Sequence, residues 1–336
     1  MSSALRLLLL FVTCLVAAVA ADLNGANLGT PILGPKVTAA DLTGKVVVFE
    51  YWGIHCPPCL ANIGHVSTLA TLADRDRLVV IANHCQESGQ TAAVWRSHGG
   101  TEAVSVIEQG ELTNADVSGI PRVFVFDHRG TQVYDGHPGQ LDEAQLKKWL
   151  DAVPGPLLPK GDFPACAREA QILGNRDAPA GSALKSLRAK VAAGKDPAAS
   201  EAKIILAAAT TAVESRLESI KTDRAANPLQ AQRTLTRFIT LLHGDELAAP
   251  FEALAKELKS DKVFQAEAKA ADILDQIRQT GNKLGAGEFQ LTNSKRVQIN
   301  ELTQQLIYLS RKYPDTRAGK EALVVAESWT SALTKR

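Results

Sequence analysis

The feature that most constrains this chain is Trp52-Gly53-Ile54-His55-Cys56-Pro57-Pro58-Cys59, placed between two segments of opposite character. Before it lies Lys45 to Trp52, a short run of β-branched and aromatic residues suited to a buried strand. After it, Leu60 to Ala73 is compatible with a helix. Two cysteines at i and i+3 on such a junction can close a small disulfide ring at a helix N-terminus. There the Cys56 sulfur would face unsatisfied backbone N–H groups and the positive end of the helix dipole, both of which favour thiolate over thiol. Cys56 is therefore the candidate nucleophile toward a partner disulfide, and Cys59, the more buried, the thiol that resolves the mixed disulfide and leaves Cys56–Cys59 oxidised. Structural zinc is the competing reading. It needs four ligands, and neither a second Cys-x-x-Cys nor a His pair is present, although His84 and Cys85 could be recruited. No metal is expected.

The surrounding region alternates strand and helix signals. Arg77 to Ala82 reads as a second buried strand and Gln90 to His98 as a second helix. Arg122 to Phe126, the turn Asp127-His128-Arg129-Gly130 and Thr131 to Tyr134 read as a β-hairpin. Asp142 caps a last helix over Glu143 to Ala152. This order predicts an α/β sandwich.

Val153 to Gly161 holds three prolines and two glycines, which marks a boundary; residues 153–162 are expected to link two domains, as 336 residues allow. Beyond it, over 163–336, strand signals fade and an all-α domain of six or seven helices is predicted. Helix starts are expected at Asp196-Pro197, Asn227-Pro228 and Asp261. Leu206, Val213, Leu217 and Ile220 share one helical face, as do Ile299, Leu302, Leu306 and Leu309. Gly244 to Leu254 faintly echoes Pro314 to Leu323, so tetratricopeptide-like helix pairs stand as an alternative to an irregular bundle. Charge divides at the same boundary: residues 22–162 carry 10 basic and 16 acidic side chains, residues 163–336 carry 26 and 20. Opposite signs could help the halves dock, or the mixture could be a solvated helical surface. Overall, 37 Lys and Arg against 36 Asp and Glu leave no field that would draw nucleic acid.

At the N-terminus, Arg6 precedes a mostly apolar stretch, Leu7 to Ala21, that ends in Ala18-Val19-Ala20. This is the pattern of a cleavable export signal over residues 1–21, too short to span a bilayer comfortably. An uncleaved anchor or lipidation at Cys14 are the alternatives. No later segment is apolar enough to span, so a periplasmic or secreted protein without a membrane span is expected, in a compartment that permits disulfides.

Three matches, in this order and spacing, resemble the thioredoxin-like superfamily and its exported TlpA-like or ResA-like thiol-disulfide oxidoreductases. They are Leu42-Thr43-Gly44-Lys45 before the first core strand, the Trp52 to Cys59 motif, and Gly119-Ile120-Pro121 leading into Arg122 to Gly130. The resemblance covers about Val37 to Ala152, within a domain of residues 22–152. It implies a central mixed sheet, a cis Pro121 facing the cysteine pair, and an Ile120 backbone that hydrogen-bonds an incoming chain as an added strand. It also implies that Glu50 moves protons for the resolving cysteine, since an acid inside Val-Val-Val-Phe-Glu-Tyr-Trp is costly to bury unless useful or paired; a salt-bridged or partly exposed strand residue is the alternative. Trp52 is expected to shield the disulfide, pack beside it and contribute to substrate contact; plain core packing is the alternative. One departure stands out: members of the family often carry Glu three residues after the second cysteine, where this chain has Asn62, so acid–base work falls on Glu50 alone.

His55, beside the nucleophile, could stabilise its thiolate or could be an exposed loop residue. Cys85 could be a third reactive thiol, a disulfide partner for Cys166, or, like Cys166, an unpaired buried thiol. His65, His98, His128 and His137 show no ligand spacing and are expected at the surface. The chain lacks a phosphate-binding Gly loop, a dinucleotide fingerprint and a Gly-x-Ser-x-Gly elbow. No cofactor is expected; electrons would pass between a redox partner protein or small thiol and protein disulfide or dithiol substrates. The Pro-Pro dipeptide tunes the potential and leaves open whether the chain reduces or oxidises. The alternative to an enzyme is a docking module whose helical half binds an envelope partner.

Overall fold

The structure, a computed structural model, describes residues 20–86, 89–286 and 291–334. The expected export signal, Cys14 included, lies outside the described residues except for its last two positions.

Six strands form a mixed sheet in the order β2-β5-β4-β3-β7-β8: β2 Thr30–Leu33, β3 Val46–Trp52, β4 Leu78–His84, β5 Ser105–Glu108, β7 Arg122–Phe126 and β8 Gln132–Gly136. β3, β4 and β5 are parallel, whereas β7 runs antiparallel to β3, β8 to β7, and β2 to β5. β3 is central because every one of its residues is buried, which suits its β-branched and aromatic composition. β1 (Asp22–Asn27) and β6 (Glu111–Thr113) form a separate antiparallel ribbon.

Alternation along β3 sorts the core into two layers. Val46, Val48 and Trp52 pack with Cys59, Ile63 and Val66 of α2 (Pro57–Leu69), Trp95 of α3 (Thr91–Ser97) and Leu146 of α4 (Glu143–Asp151). Val47, Phe49 and Tyr51 pack on the other face with Leu42 of α1 (Ala39–Leu42) and Leu112 of β6. α2 starts three residues before its expected position, since prolines fit the first turn of a helix. Asp142 makes the expected cap, as a capping box with Gln145.

The Pro/Gly segment after α4 is packed rather than loose. Leu157 is buried in the helical core, and the Gly155 N–H donates to the Gly174 carbonyl. Among the described residues that follow there are eight α-helices, more than the six or seven expected: α5 Ala167–Gly174, α6 Gly181–Ala193, α7 Ala198–Asp223, α8 Pro228–Leu241, α9 Ala249–Ser260, α10 Lys262–Leu284, α11 Asn293–Lys312 and α12 Arg317–Thr334. Asn227 and Asp261 cap α8 and α10 as expected. Asp196 accepts the Ser200 N–H, and α7 begins after Pro197 rather than at it. Lengths from 8 residues in α5 to 26 in α7 suit an irregular bundle better than a regular array. None of these helices is long and apolar enough to cross a membrane, among the described residues.

α10 joins two helical cores. Phe264 and Ala268 belong to a core with α5 to α9, whereas Ala270, Leu274 and Ile277 belong to one with α11 and α12. The second core lies against the sheet domain, with α10 on α2 and α12 on α3. There the Asn282 amide donates to the Gly64 carbonyl at 3.0 Å, and the Ser328 hydroxyl bonds the Ser97 carbonyl. Between α2 and β4, Asp74 and Asp76 meet Arg176, Arg216 and Arg237 from the helical half; Arg176 to Asp76 is 2.7 Å with both side chains nearly inaccessible. The charge division in the sequence is thus used locally, at one buried seam.

Candidate active site

The cysteine pair lies where β3 hands over to α2. Cys56 is the N-cap of α2, Pro57 and Pro58 fill the next two positions, and Cys59 follows. Cys56 and Cys59 form a disulfide with Cα atoms 5.2 Å apart. The two sulfurs differ in access: Cys56 is half-buried beside exposed Pro57 and Pro58, whereas Cys59 has no exposed surface. The Cys59 N–H points at the Cys56 sulfur, 3.3 Å away. The expectation of several such donors needs correction. Two prolines have no N–H, and the Leu60 N–H is already bonded to the Cys56 carbonyl, so the helix end offers this sulfur one amide plus its dipole.

Ile120 and Pro121 come from the loop entering β7 and stand across from the pair. The peptide bond between them is cis, both are half-buried, and the Ile120 carbonyl oxygen is 3.7 Å from the Cys56 sulfur. Register explains the approach, because β7 pairs antiparallel with β3 and brings Arg122 beside Tyr51.

Glu50 pairs with Ala82 and Val123 on its two neighbouring strands. It lies on the same face of β3 as Val48 and Trp52, the face covered by α2 with Cys59. It has no exposed surface, and neither carboxylate oxygen has a hydrogen-bond partner among the described residues. Burial raises its pKa from 4.5 to about 8, so it holds a proton at neutral pH.

Trp52 needs a second correction. Its ring is wholly buried, 5.1 Å from His84 and 5.2 Å from Trp95, so it supports the motif from beneath and has no surface to offer a substrate. His55 is exposed, and its N–H donates to the Gln86 side chain at 2.9 Å. Gly53 leaves room for that amide, since a Cβ there would come within 2.4 Å of it. Asn62 turns back along its helix to the Pro58 carbonyl.

Cys85 and Cys166 are not paired with each other. Cys85 is exposed just after β4 and its thiol donates to the Trp52 carbonyl, whereas Cys166 is buried among helices with its thiol on the Ala198 carbonyl. Burial raises the pKa of both thiols. The four histidines expected at the surface are half-buried instead, and His65 and His98 each engage a backbone carbonyl. Among the described residues, no group of three or more His, Cys, Asp or Glu is arranged to hold a metal ion.

Sequence reasoning placed too little on His84. It ends β4 in register with Trp52, is inaccessible to solvent, and meets the Ile54 N–H, Thr91 and Glu108. The available signal was a polar residue closing a buried apolar strand, at the end of a parallel sheet where α/β folds place their sites.

No protein-family model matches the chain. Over 123 residues it is 24% identical to the thiol-disulfide oxidoreductase ResA of Halalkalibacterium halodurans, a match that spans 36% of this chain and 69% of that protein. Among solved structures, a thiol-disulfide isomerase from Corynebacterium glutamicum is 19% identical, with 38% of this chain and 92% of that one covered at a TM-score of 0.31. A secreted Mycobacterium tuberculosis disulfide oxidoreductase, homologous to DsbE of E. coli, is 15% identical, with 37% and 96% covered at a TM-score of 0.29.

Proposed function

On the footing that this chain is a thioredoxin-like thiol-disulfide oxidoreductase, we propose that it exchanges the Cys56–Cys59 dithiol and disulfide with protein partners outside the cytoplasm. The observation that carries the division of labour is the asymmetry of the pair: a half-buried Cys56 whose sulfur accepts one helix amide, and an inaccessible Cys59.

In the reducing direction, the Cys56 thiolate attacks a sulfur of the partner disulfide. A Cys56–partner disulfide forms, the partner's own bond breaks, and one partner thiolate leaves. The Cys59 thiol loses its proton and attacks the Cys56 sulfur, which restores the internal disulfide and releases the second partner thiolate. Two electrons pass to the partner. The same steps reversed oxidise a partner dithiol.

Glu50 is the group proposed to exchange the Cys59 proton, supported by its place in the same core layer and its pKa of about 8. Its neutral acid gives the proton to the Cys59 thiolate in the oxidising direction, and its ionised form, the minor one at pH 7, takes it from the Cys59 thiol in the reducing direction. The Ile120 backbone, across from Cys56, is proposed to receive the partner chain as an added strand. The helical half covers α2 and α3 and leaves His55, Pro57 and Pro58 exposed, which supports a role in selecting or holding partners rather than in the exchange itself. Export is proposed on the pattern of residues 1–21.

Trapping tests the roles. Cys59→Ser should accumulate mixed disulfides with an added protein disulfide, visible as a thiol-sensitive gel shift, and Cys56→Ser should form none. Mixed disulfides from Cys56→Ser and not from Cys59→Ser would reverse the assignment.

A further inference from the structure

We propose that His84 is a positioning residue for the redox loop, the middle member of a hydrogen-bond chain running from the Ile54 N–H through its imidazole to Thr91 and Glu108. The inference rests on the reading of Cys56–Cys59 as the redox pair. None of these four residues is part of that exchange chemistry.

The direction of every bond follows from the atoms. Ile54 N lies 3.3 Å from His84 Nε2 and can only donate, so Nε2 carries the lone pair and the ring proton is on Nδ1. Nδ1 faces Thr91 Oγ1 at 3.3 Å and Glu108 Oε1 at 3.6 Å, both able to accept. The Thr91 hydroxyl in turn donates to Glu108 Oε1. Each link has one donor and one acceptor, and the chain ends on a carboxylate whose side chain is 24% exposed. A neutral imidazole is required. Burial lowers the His84 pKa from 6.5, with Glu108 working against that shift and His55 adding to it, so the ring is neutral near pH 7.

The consequence for the site is geometric. Ile54 is two residues before Cys56, and the next amide, His55 N–H, is held by Gln86. Two successive loop amides are thus pinned by residues at the end of β4, while the His84 ring also lies against Trp52. The loop is held this way with Cys56 and Cys59 joined, and the proposed role of the anchor is to keep the two cysteines in that joined geometry. Losing the anchor should therefore weaken the disulfide relative to the dithiol.

The test is the equilibrium of Cys56–Cys59 with glutathione in the full chain. His84→Phe keeps an aromatic ring but offers no acceptor, and should shift the equilibrium toward dithiol by about tenfold, about 30 mV for a two-electron couple. His84→Gln, whose amide oxygen can accept from Ile54, should recover to within about threefold of the parent. Thr91→Val leaves the imidazole in place and cuts the next link, so it decides the matter even where His84→Phe fails to fold; a shift in the same direction is expected. Equal shifts in His84→Phe and His84→Gln, or a parental equilibrium in Thr91→Val, would overturn the proposal and leave the ring as packing alone.

Discussion

Cys59 directs its backbone N–H at the sulfur of Cys56, 3.3 Å away, across two prolines that have no N–H to add. The pair is therefore linked twice, once through the S–S bond and once through the Cys59 amide, which the Cys56 sulfur caps. The second link does not depend on the S–S bond, and the amide is expected to stabilise the Cys56 thiolate when the disulfide opens.

That relationship is adjustable. Pro58→Ala supplies a further first-turn N–H at a position from which N-cap side chains accept. The Cys56 thiol should become more acidic, and its alkylation at pH 5 should speed up several-fold relative to the parent. An unchanged alkylation rate would show that the prolines do not limit the helix end.

Glu50 sets a pH dependence of stability. Its folded pKa, about 8, lies above its ordinary 4.5 because it is buried without a partner. Between those values the native state keeps a proton that the unfolded chain has released. The slope of stability with pH from this group is then negative, and its contribution declines as pH rises from about 4.5 toward 8. At pH 7 the loss is on the order of 3 kcal/mol. Glu50→Gln should flatten this decline, seen as similar urea midpoints at pH 5 and pH 8, and, with Cys59 in place, should slow resolution of the mixed disulfide.

The seam between the halves is electrostatic where it is most buried. Asp76 faces Arg176, Arg216 and Arg237; burial opposes its ionisation, but the three guanidiniums outweigh that and keep its pKa below 3.8. Asp76→Ala leaves Arg176 buried without its carboxylate and should destabilise the protein by about 3–5 kcal/mol. The double variant Asp76→Leu with Arg176→Met should lose less than the single change. Chemical denaturation of the three proteins checks the order.

A close approach in the second helical core gives a sharper steric prediction. Gly281 of α10 lies under Trp329 of α12, and a Cβ at Gly281 would come within 2.1 Å of that inaccessible ring. Alanine normally favours a helix over glycine, but here the ring has nowhere to move. Gly281→Ala should cost about 1–3 kcal/mol, read as a lower melting temperature.

Much of the site was legible because it depends on local order. Cys56 and Cys59 follow a strand whose composition announces burial, and Asp142, Asn227 and Asp261 announce helix starts through capping chemistry alone. What escaped depends on pairing between distant segments. β1, β2, β5 and β6 are three to six residues long, and β2 contains Pro31, so none carries a strand pattern of its own. The role of His84 needs the parallel register that brings it beside Trp52. The motif places Trp52 beside the disulfide but does not say whether it also reaches a substrate, and the packing of His84 and Trp95 around it shows that it lies below the surface. The seam at Asp76 was visible as a charge imbalance between halves, but not as three particular arginines.

The central claim is that Cys56 and Cys59 cycle between dithiol and disulfide. Its most direct test is thiol trapping of the purified protein equilibrated across defined glutathione buffers, with Cys56→Ser as control. One reversible two-electron transition is expected, with a tenfold change in equilibrium constant for about every 30 mV, absent from the variant. A pair that stays fully oxidised or fully reduced across the whole buffer range, or a transition that persists in Cys56→Ser, would contradict it.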